Sequence, residues 1–431
     1  MAEVYDTWHK ARPKADEAEC AEHKGKFRSA AHGKGKRWQV RWRDPKGIQR
    51  KENFDRRVDA DARSAKVETD LNLGTYVDPS AGKVTLETFA KTWLESQTGD
   101  LGTIQAVELR IRLHVLPHLG SHQLRALRPS MLQAWVSGLE KDKLAASYVK
   151  VIFANLSGML SAAVDDALIA RNPCRAGSIR LPKDNRPRVQ PWAPRRVLSV
   201  VSALPDAYAC MAVIGAGCGL RQGEIFGLAV KDIDFLRGVV HVRRQIKHVS
   251  KQLVFALPKG QKERDVPLPS KVGEAIAAHL AARPARTVTL PWAVPDGKPV
   301  TADLLFTSRE SKAVNRNYFN TYVWKPALAK AGVIETKPEG EKYGEARSDG
   351  MHALRHHYAS VLLDAGESIK ALSEYLGHSD PGFTLRTYTH LMPASEERTK
   401  KAVDRALTAA VDGLSSRTSR ESAPVVPSAA A

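Results

Sequence analysis

At 431 residues the chain is long enough for two or three domains of ordinary size. Hydrophobic residues make up 43% and charged residues 26%, which predicts folded domains with buried cores. Lys and Arg total 66 against 47 Asp and Glu, a formal net charge of +19, and such an excess calls for a large polyanion as partner. No apolar run is seen that approaches the ~20 residues of a membrane span. Met1 to Lys26 is polar and lacks a signal-like apolar segment. The expectation is a cytoplasmic, nucleoid-associated protein with no membrane contact. Cys20, Cys174, Cys210 and Cys218 form no C-x-x-C, so neither a zinc site nor a disulfide framework is expected.

Residues 24 to 57 hold 13 Lys or Arg against three acids, Asp44, Glu52 and Asp55. Within them Arg37 to Arg43 alternates strictly, with Trp38, Val40 and Trp42 on one face and Arg37, Gln39, Arg41 and Arg43 on the other. Asp44-Pro45-Lys46-Gly47 predicts a turn, Ile48 to Phe54 a returning strand, and Asp59 the cap of a helix from Ala60 to about Leu71. An Arg-rich strand on so basic a chain makes Arg37, Arg41 and Arg43 candidate DNA contacts.

Gly74 to Gly82 reads as a linker. Helices are expected from Leu86, from Arg110 to Leu116 (ended by Pro117 and Gly120), from Pro129, and from Ser147 through Val164. Arg180 to Arg188, with Pro182 and Pro187, is a second, basic linker. The largest domain then opens with helices from Arg195 and Ala207 and the turn Gly217-Cys218-Gly219. Val239 to Arg244, Leu253 to Leu257 and Arg264 to Pro267 are expected to form one small sheet, and the remainder to be mostly helical. Beyond Gly413 the Ser-, Pro- and Ala-rich tail is expected to be disordered. The domains predicted are 1–75, 84–180 and 190–410, with a tail at 411–431.

Four short motifs lie in the third domain. Arg221 and Glu224 sit three apart at a helix start, where such a pair is ordinarily a surface ion pair. His352 and Arg355 are again three apart. Leu376-Gly377-His378-Ser379 ends a helix at a glycine, and Arg386-Thr387-Tyr388-Thr389-His390 follows ten residues on. Each alone is weak, and a lone tyrosine is most often a packing residue.

Together and in this order they resemble the tyrosine recombinase (phage integrase) family. Gly219-Leu220-Arg221-x-Gly223-Glu224, His352-x-Leu354-Arg355-His356, Leu376-Gly377-His378-Ser379 and Tyr388-Thr389-His390 all read as that family's boxes. The resemblance implies a multidomain, mainly α protein with small β-sheets. A small N-terminal sheet-plus-helix domain of arm-binding type would precede a helical core-binding domain and a mixed α/β catalytic domain.

The resemblance also implies cleavage and rejoining of DNA through a 3′-phosphotyrosine at Tyr388. Arg221 and Arg355 would bind the phosphate oxygens bidentately, with His352 and His378 adding donors or moving protons near neutrality. Surrounding cations would lower the Tyr388 pKa. The lysine that protonates the leaving oxygen falls in a turn read as a hairpin between two strands, where Lys259 is preferred and Lys262 competes. Glu224 would orient a neighbouring histidine or arginine. His356 reads as a packing or support residue and His357 as exposed, while His390 has no assigned role. No metal or cofactor is expected. The partners implied are double-stranded DNA with attachment sites, a homotetramer on that DNA, an excision factor and a host DNA-bending protein. Residues after about 393 would pass to a neighbouring protomer. The rival readings are a type IB-like topoisomerase and a non-catalytic DNA-binding regulator derived from a recombinase.

Overall fold

In the computed structural model, the alternation of Trp38, Val40 and Trp42 becomes the central strand of a three-stranded antiparallel sheet. The structure describes residues 2–13, 17–45, 47–78, 81–183, 189–338, 340–346 and 348–391, and parts of 400–408. The expected tail beyond 413 and most of the segment after 393 lie outside the described residues. The chain divides into two compact units, Met1–Asn185 and Arg186–Ala431.

In the first unit, β1 (Glu3–Asp6) and β3 (Gln49–Phe54) flank β2 (Trp38–Arg43), with Val4 opposite Val40 and Arg50 opposite Trp42. The first of these strands was not anticipated, because four residues are too few to display a period. Asp44 closes the β2–β3 turn, accepting from Ile48 N at 2.9 Å and Arg50 Nε at 3.0 Å. Helix α1 (Arg57–Asn72) packs on the apolar face, so Ala2, Val40, Trp42, Ala60, Val67 and Tyr76 make a small core. Trp42 Nε1 donates to Tyr76 OH at 2.8 Å, satisfying the buried indole. Asp59 does not cap this helix. It lies in the first turn, where its carboxylate takes both Arg56 donors at 2.8 and 2.9 Å.

A second core in this unit is helical. After a 3₁₀ turn (Ala81–Lys83), α2 (Leu86–Glu95) is capped by Thr85, whose side chain accepts from Thr88 N. The next helix starts at Leu101 rather than Arg110, because Asp100 accepts from Thr103 N at 3.0 Å. It runs as α3 (Leu101–Arg110), a π turn (Ile111–Val115) and α4 (Leu116–Leu119). The wide turn just before Pro117 accommodates a residue with no N–H, so the proline does not end the helix. Helices α5 (Pro129–Lys141) and α6 (Ala146–Asp165) complete the bundle. By length and composition α6 is apolar enough to cross a membrane. Its apolar residues Val149, Ile152, Leu156 and Leu160 are instead packed into the core with Leu86, Ile111 and Leu132.

The second unit opens with α7 (Pro194–Ala203), α8 (Asp206–Cys218) and α9 (Gln222–Phe226). The strands expected to form one sheet belong to two. Strand β5 (Val239–Val242) lies between β4 (Ile233–Asp234) and β8 (Arg264–Pro267), while β6 (Gln245–Val249) pairs only with β7 (Gln252–Ala256). Residues 257–263 therefore link two sheets and are not a hairpin turn. After α10 (Ser270–Ala282), an unanticipated hairpin of β9 (Arg286–Pro291) and β10 (Pro299–Leu304) pairs Thr289 with Thr301, whose hydroxyls lie 2.8 Å apart on the exposed face. Helices α11 (Arg316–Phe319) and α12 (Lys325–Lys330) are joined by a π turn. Helices α13 (His352–Asp364), α14 (Ile369–Leu376) and α15 (Pro381–Tyr388) follow. Buried Met211, Ile214, Phe226, Phe255, Trp324 and Leu354 form the main core, and Tyr358, Leu363, Leu372, Leu376 and Tyr388 form a second one between α13, α14 and α15.

Candidate active site

Two left-handed glycines shape the site. Gly219 (φ +63°) ends α8 and Gly377 (φ +61°) ends α14, a conformation that costs a residue with a side chain about 1–2 kcal/mol. A Cβ at Gly219 would also stand 2.3 Å from Tyr358 Cδ1. Each glycine presents its carbonyl to an arginine. Arg355 Nη1 donates to Gly219 O at 2.7 Å, and Arg221 Nη2 donates to Gly377 O at 3.0 Å. Helix ends far apart in sequence thus aim the two guanidiniums.

Glu224 anchors the same cluster. Its backbone position at the third residue of α9 lets the carboxylate accept from Arg221 N (2.8 Å) and Arg221 Nη1 (2.9 Å). Arg264 on β8 adds a bidentate pair at 2.9 and 2.7 Å and donates its Nε to Tyr375 O. Burial raises the Glu224 pKa, but the Arg264 hydrogen bonds and charge and the Arg221 charge outweigh it and bring it down to about 2. The carboxylate therefore orients arginines, and no histidine is among its hydrogen-bond partners. Arg264 was missed as a site residue: in sequence it is one of many basic residues, and only the β5–β8 pairing turns it toward Glu224.

Arg355 is 1% exposed and its Nε has no partner. Its Nη2 donates to Leu376 O and to His378 Nε2, the latter at 3.0 Å. Because an arginine can only donate, His378 must accept at Nε2 and carry its proton on Nδ1, 2.7 Å from Thr384 Oγ1. Thr384 in turn accepts from Ser373 Oγ at 2.7 Å. Burial, and then the Arg355 and Arg221 charges, lower the His378 pKa to about 3. His352, at the N-terminus of α13, is lowered to about 4 by desolvation and then by His356 and the charges of Arg355, Arg221 and Lys259. His378 is thereby held neutral at pH 7, while His352 keeps an exposed surface on the rim of the site.

Tyr388 is 1% exposed, packed among Tyr358, Leu363, Leu372 and Leu376. Its OH lies 2.8 Å from His356 Nδ1. Burial raises its pKa to about 12, although Arg355 and Arg221 pull the other way. The expected net lowering is thus reversed, because desolvation of a phenolate exceeds the help from cations that face other groups. His356, read from sequence as a packing or support residue, is the group that meets this hydroxyl. His357 is half-buried, with Nδ1 2.8 Å from Trp192 O, and is not the exposed residue expected. His390 Nε2 lies 2.7 Å from Val189 O.

Lys259 and Lys262 are both exposed in the 257–263 connection. Only Lys259 stands among the charges acting on His352. A cleft of about 850 Å³ runs alongside Arg221 and His352, lined also by Lys247, Arg316, Lys325 and one carboxylate, Glu345. The structure therefore gathers Arg221, Glu224, His352, Arg355, His378 and Tyr388, with Lys259 at the edge. Arg37, Arg41 and Arg43 belong to the other unit. Arg41 and Arg43 are exposed, with the Arg41 guanidinium 4.6 Å above the Tyr5 ring, and Arg37 is drawn onto Asp6 at 2.9 Å.

Residues 196–395 match the phage integrase family, and residues 85–139 match the phage integrase N-terminal SAM-like domain. The chain belongs to the phage integrase family. This tyrosine recombinase is 26% identical over 374 residues to a tyrosine recombinase XerC-like protein of Caldanaerobacter subterraneus subsp. tengcongensis, covering 81% of this chain and 90% of that one. It is also 26% identical over 364 residues to the integrase of Mycobacterium phage L5, covering 82% and 90%. Its fold is similar to that of the Tn1549 transposon integrase solved with transposon right end DNA (TM-score 0.62, 22% identity, 74% and 98% coverage). It is similar too to the lambda integrase tetramer bound to a Holliday junction (TM-score 0.51, 16% identity, 79% and 93% coverage). The chain is a site-specific DNA recombinase, an enzyme that breaks and rejoins strands.

Proposed function

We propose that this recombinase integrates a phage or other mobile element by transferring a DNA phosphate to Tyr388 and back. The Tyr388 oxygen attacks phosphorus, a 3′-phosphotyrosine forms, and the 5′-oxygen leaves as a hydroxyl. The ester retains the bond energy, so rejoining needs no nucleotide cofactor. Arg221 and Arg355 bind the nonbridging oxygens and Lys259 protonates the leaving oxygen. His378 holds Arg355 in position, His352 donates from the rim, and Glu224 fixes Arg221.

One observation carries this reading: three guanidiniums, Arg221, Arg264 and Arg355, converge around one carboxylate, Glu224. The excess of two positive charges suits a phosphodiester that gains a second negative charge on attack. Arg221 and Arg355 are steered by backbone carbonyls, so their geometry is set before the substrate arrives.

The exposed Arg41 and Arg43 would engage distant arm sites, while residues 84–400 would grip the core site. The lambda integrase tetramer on a Holliday junction supports a multimer on DNA. Four protomers would act on two DNA sites, with two tyrosines cutting first. An excision factor, a host bending protein and exchange of the segment after 393 between protomers complete the proposal, as does a cytoplasmic setting. The separate N-terminal sheet domain argues against the topoisomerase, which needs no second class of DNA site, and the filled motif set argues against the non-catalytic regulator. A nicked suicide substrate carrying the attachment site tests the reading. The intact chain is expected to trap a covalent adduct that Tyr388→Phe abolishes, and an adduct surviving that substitution would overturn the nucleophile.

A further inference from the structure

Between β1 and β2 runs a connection of about thirty residues, far longer than ordinary loops. Among its described residues none joins the small apolar core formed by Val40, Trp42, Ala60, Val67 and Tyr76. Two isolated bridges, His9 with Arg28 and Glu19 with Phe27, fold it back on itself. Something other than hydrophobic burial must hold such a segment.

At its centre the ligand-type atoms of His9, Cys20, His23 and His32 all lie within 4.8 Å of one another. His32 Nε2 is 3.2 Å and His23 Nδ1 3.6 Å from Cys20 Sγ. The edges of a tetrahedron built from ordinary Zn–N and Zn–S bonds are about 3.4–3.8 Å. His9 and Cys20 are buried. His9 Nδ1 lies 2.9 Å from Asp6 Oδ2 and donates to it, leaving Nε2 as the nitrogen that faces the other ligand-type groups. That Nε2 is buried with no hydrogen-bond partner. A carboxylate behind a histidine whose other nitrogen points, unpaired, at a thiol and two imidazoles is the arrangement that orients metal ligands.

We propose that His9, Cys20, His23 and His32 form a structural zinc site that pins the β1–β2 connection. Three neutral imidazoles and one thiolate suit a borderline-soft divalent ion, and four protein ligands leave no position for a reacting molecule. Asp6 and the Cys20 thiolate together offset the charge of a divalent ion, and Arg28 Nε donates to the same sulfur at 3.4 Å. Asp6 also takes Arg37 through Nη2 at 2.9 Å and Nε at 3.2 Å, so the ion fixes the edge of the basic face as well as the loop. Spacing between cysteines cannot show this site, because it holds one cysteine and three histidines drawn from 24 residues.

The test uses the untagged full-length chain expressed with added zinc. Elemental analysis after dialysis is expected to give about one zinc per chain. Cobalt titrated into the metal-stripped chain is expected to show the visible bands of tetrahedral coordination together with sulfur-to-cobalt charge transfer. Cys20→His should keep the cobalt bands and lose the charge transfer, a result that unfolding of the domain could not mimic. Less than about 0.1 metal per chain, with no tetrahedral cobalt bands in the wild type, would overturn the site. Charge transfer that persists in Cys20→His would overturn the sulfur ligand. Neither readout depends on recombination, so failure here leaves the recombinase reading intact.

Discussion

His356 Nδ1 and the Tyr388 hydroxyl are 2.8 Å apart, joining α13 to the end of α15 across 32 residues of sequence. His356 is itself held neutral, its pKa lowered to about 4 by burial and then by the Arg355 charge. A neutral imidazole can hydrogen-bond the phenol, which burial holds at about 12, but with its own pKa at about 4 it is a weak base. The contact therefore positions the Tyr388 hydroxyl.

His356→Ala should slow covalent adduct formation by about 10²-fold while leaving DNA affinity within about twofold. Single-turnover trapping on a suicide substrate, beside a gel-shift titration, measures both. An unchanged adduct rate would make the contact one of packing only.

Lys259→Ala should slow cleavage at least about 10²-fold, and Lys262→Ala by no more than about threefold. A substrate with sulfur in place of the 5′-bridging oxygen separates proton donation from other roles, since a thiolate leaves without a proton. Its cleavage by the Lys259 variant should return to near the wild-type rate. If it does not, the lysine serves another purpose.

Glu224→Gln removes the charge that pairs Arg221 and Arg264 and leaves those guanidiniums unbalanced. Breaking a buried pair of this kind costs about 3–5 kcal/mol, so the urea midpoint of the catalytic unit should fall markedly. Adduct formation should fall too, because the amide keeps one acceptor oxygen and Arg221 loses one of its two contacts with residue 224. A variant with unchanged stability would show that the carboxylate is not holding the cluster.

Acid should weaken the catalytic unit in two stages. His352, His356 and His378 have folded pKa values below the ordinary 6.5, so the unfolded chain binds protons first as pH falls. Their contribution is fully present above about 6.5 and is lost progressively from there down to about 3–4. Glu224, depressed to about 2, contributes above 4.5 and is lost only below it. Urea midpoints measured from pH 7.5 to 4.5 should fall, and His378→Asn should flatten that slope.

Much of this was legible from residue order. Helices starting at Leu86 and Pro129, the Trp38–Trp42 strand and the Gly377 helix end announce themselves by period, cap or glycine, which are local properties. The order Arg221, His352, Arg355, His378, Tyr388 sufficed for the family. Other features depended on elements that meet only on folding. Arg264 reaches Glu224 because β8 pairs with β5, not with β7, and His356 reaches Tyr388 because α13 lies beside the turn after α15. The hairpin expected around Lys259 and the downward shift expected for Tyr388 failed for the same reason, since a strand's partner and the desolvation of a phenol are set by neighbours distant in sequence. The helix start at Leu101, by contrast, rests on a local cap, Asp100. Sequence thus determined which groups are present and in what order. Tertiary structure decided which of them touch, and so which charges, protons and metal ligands act together.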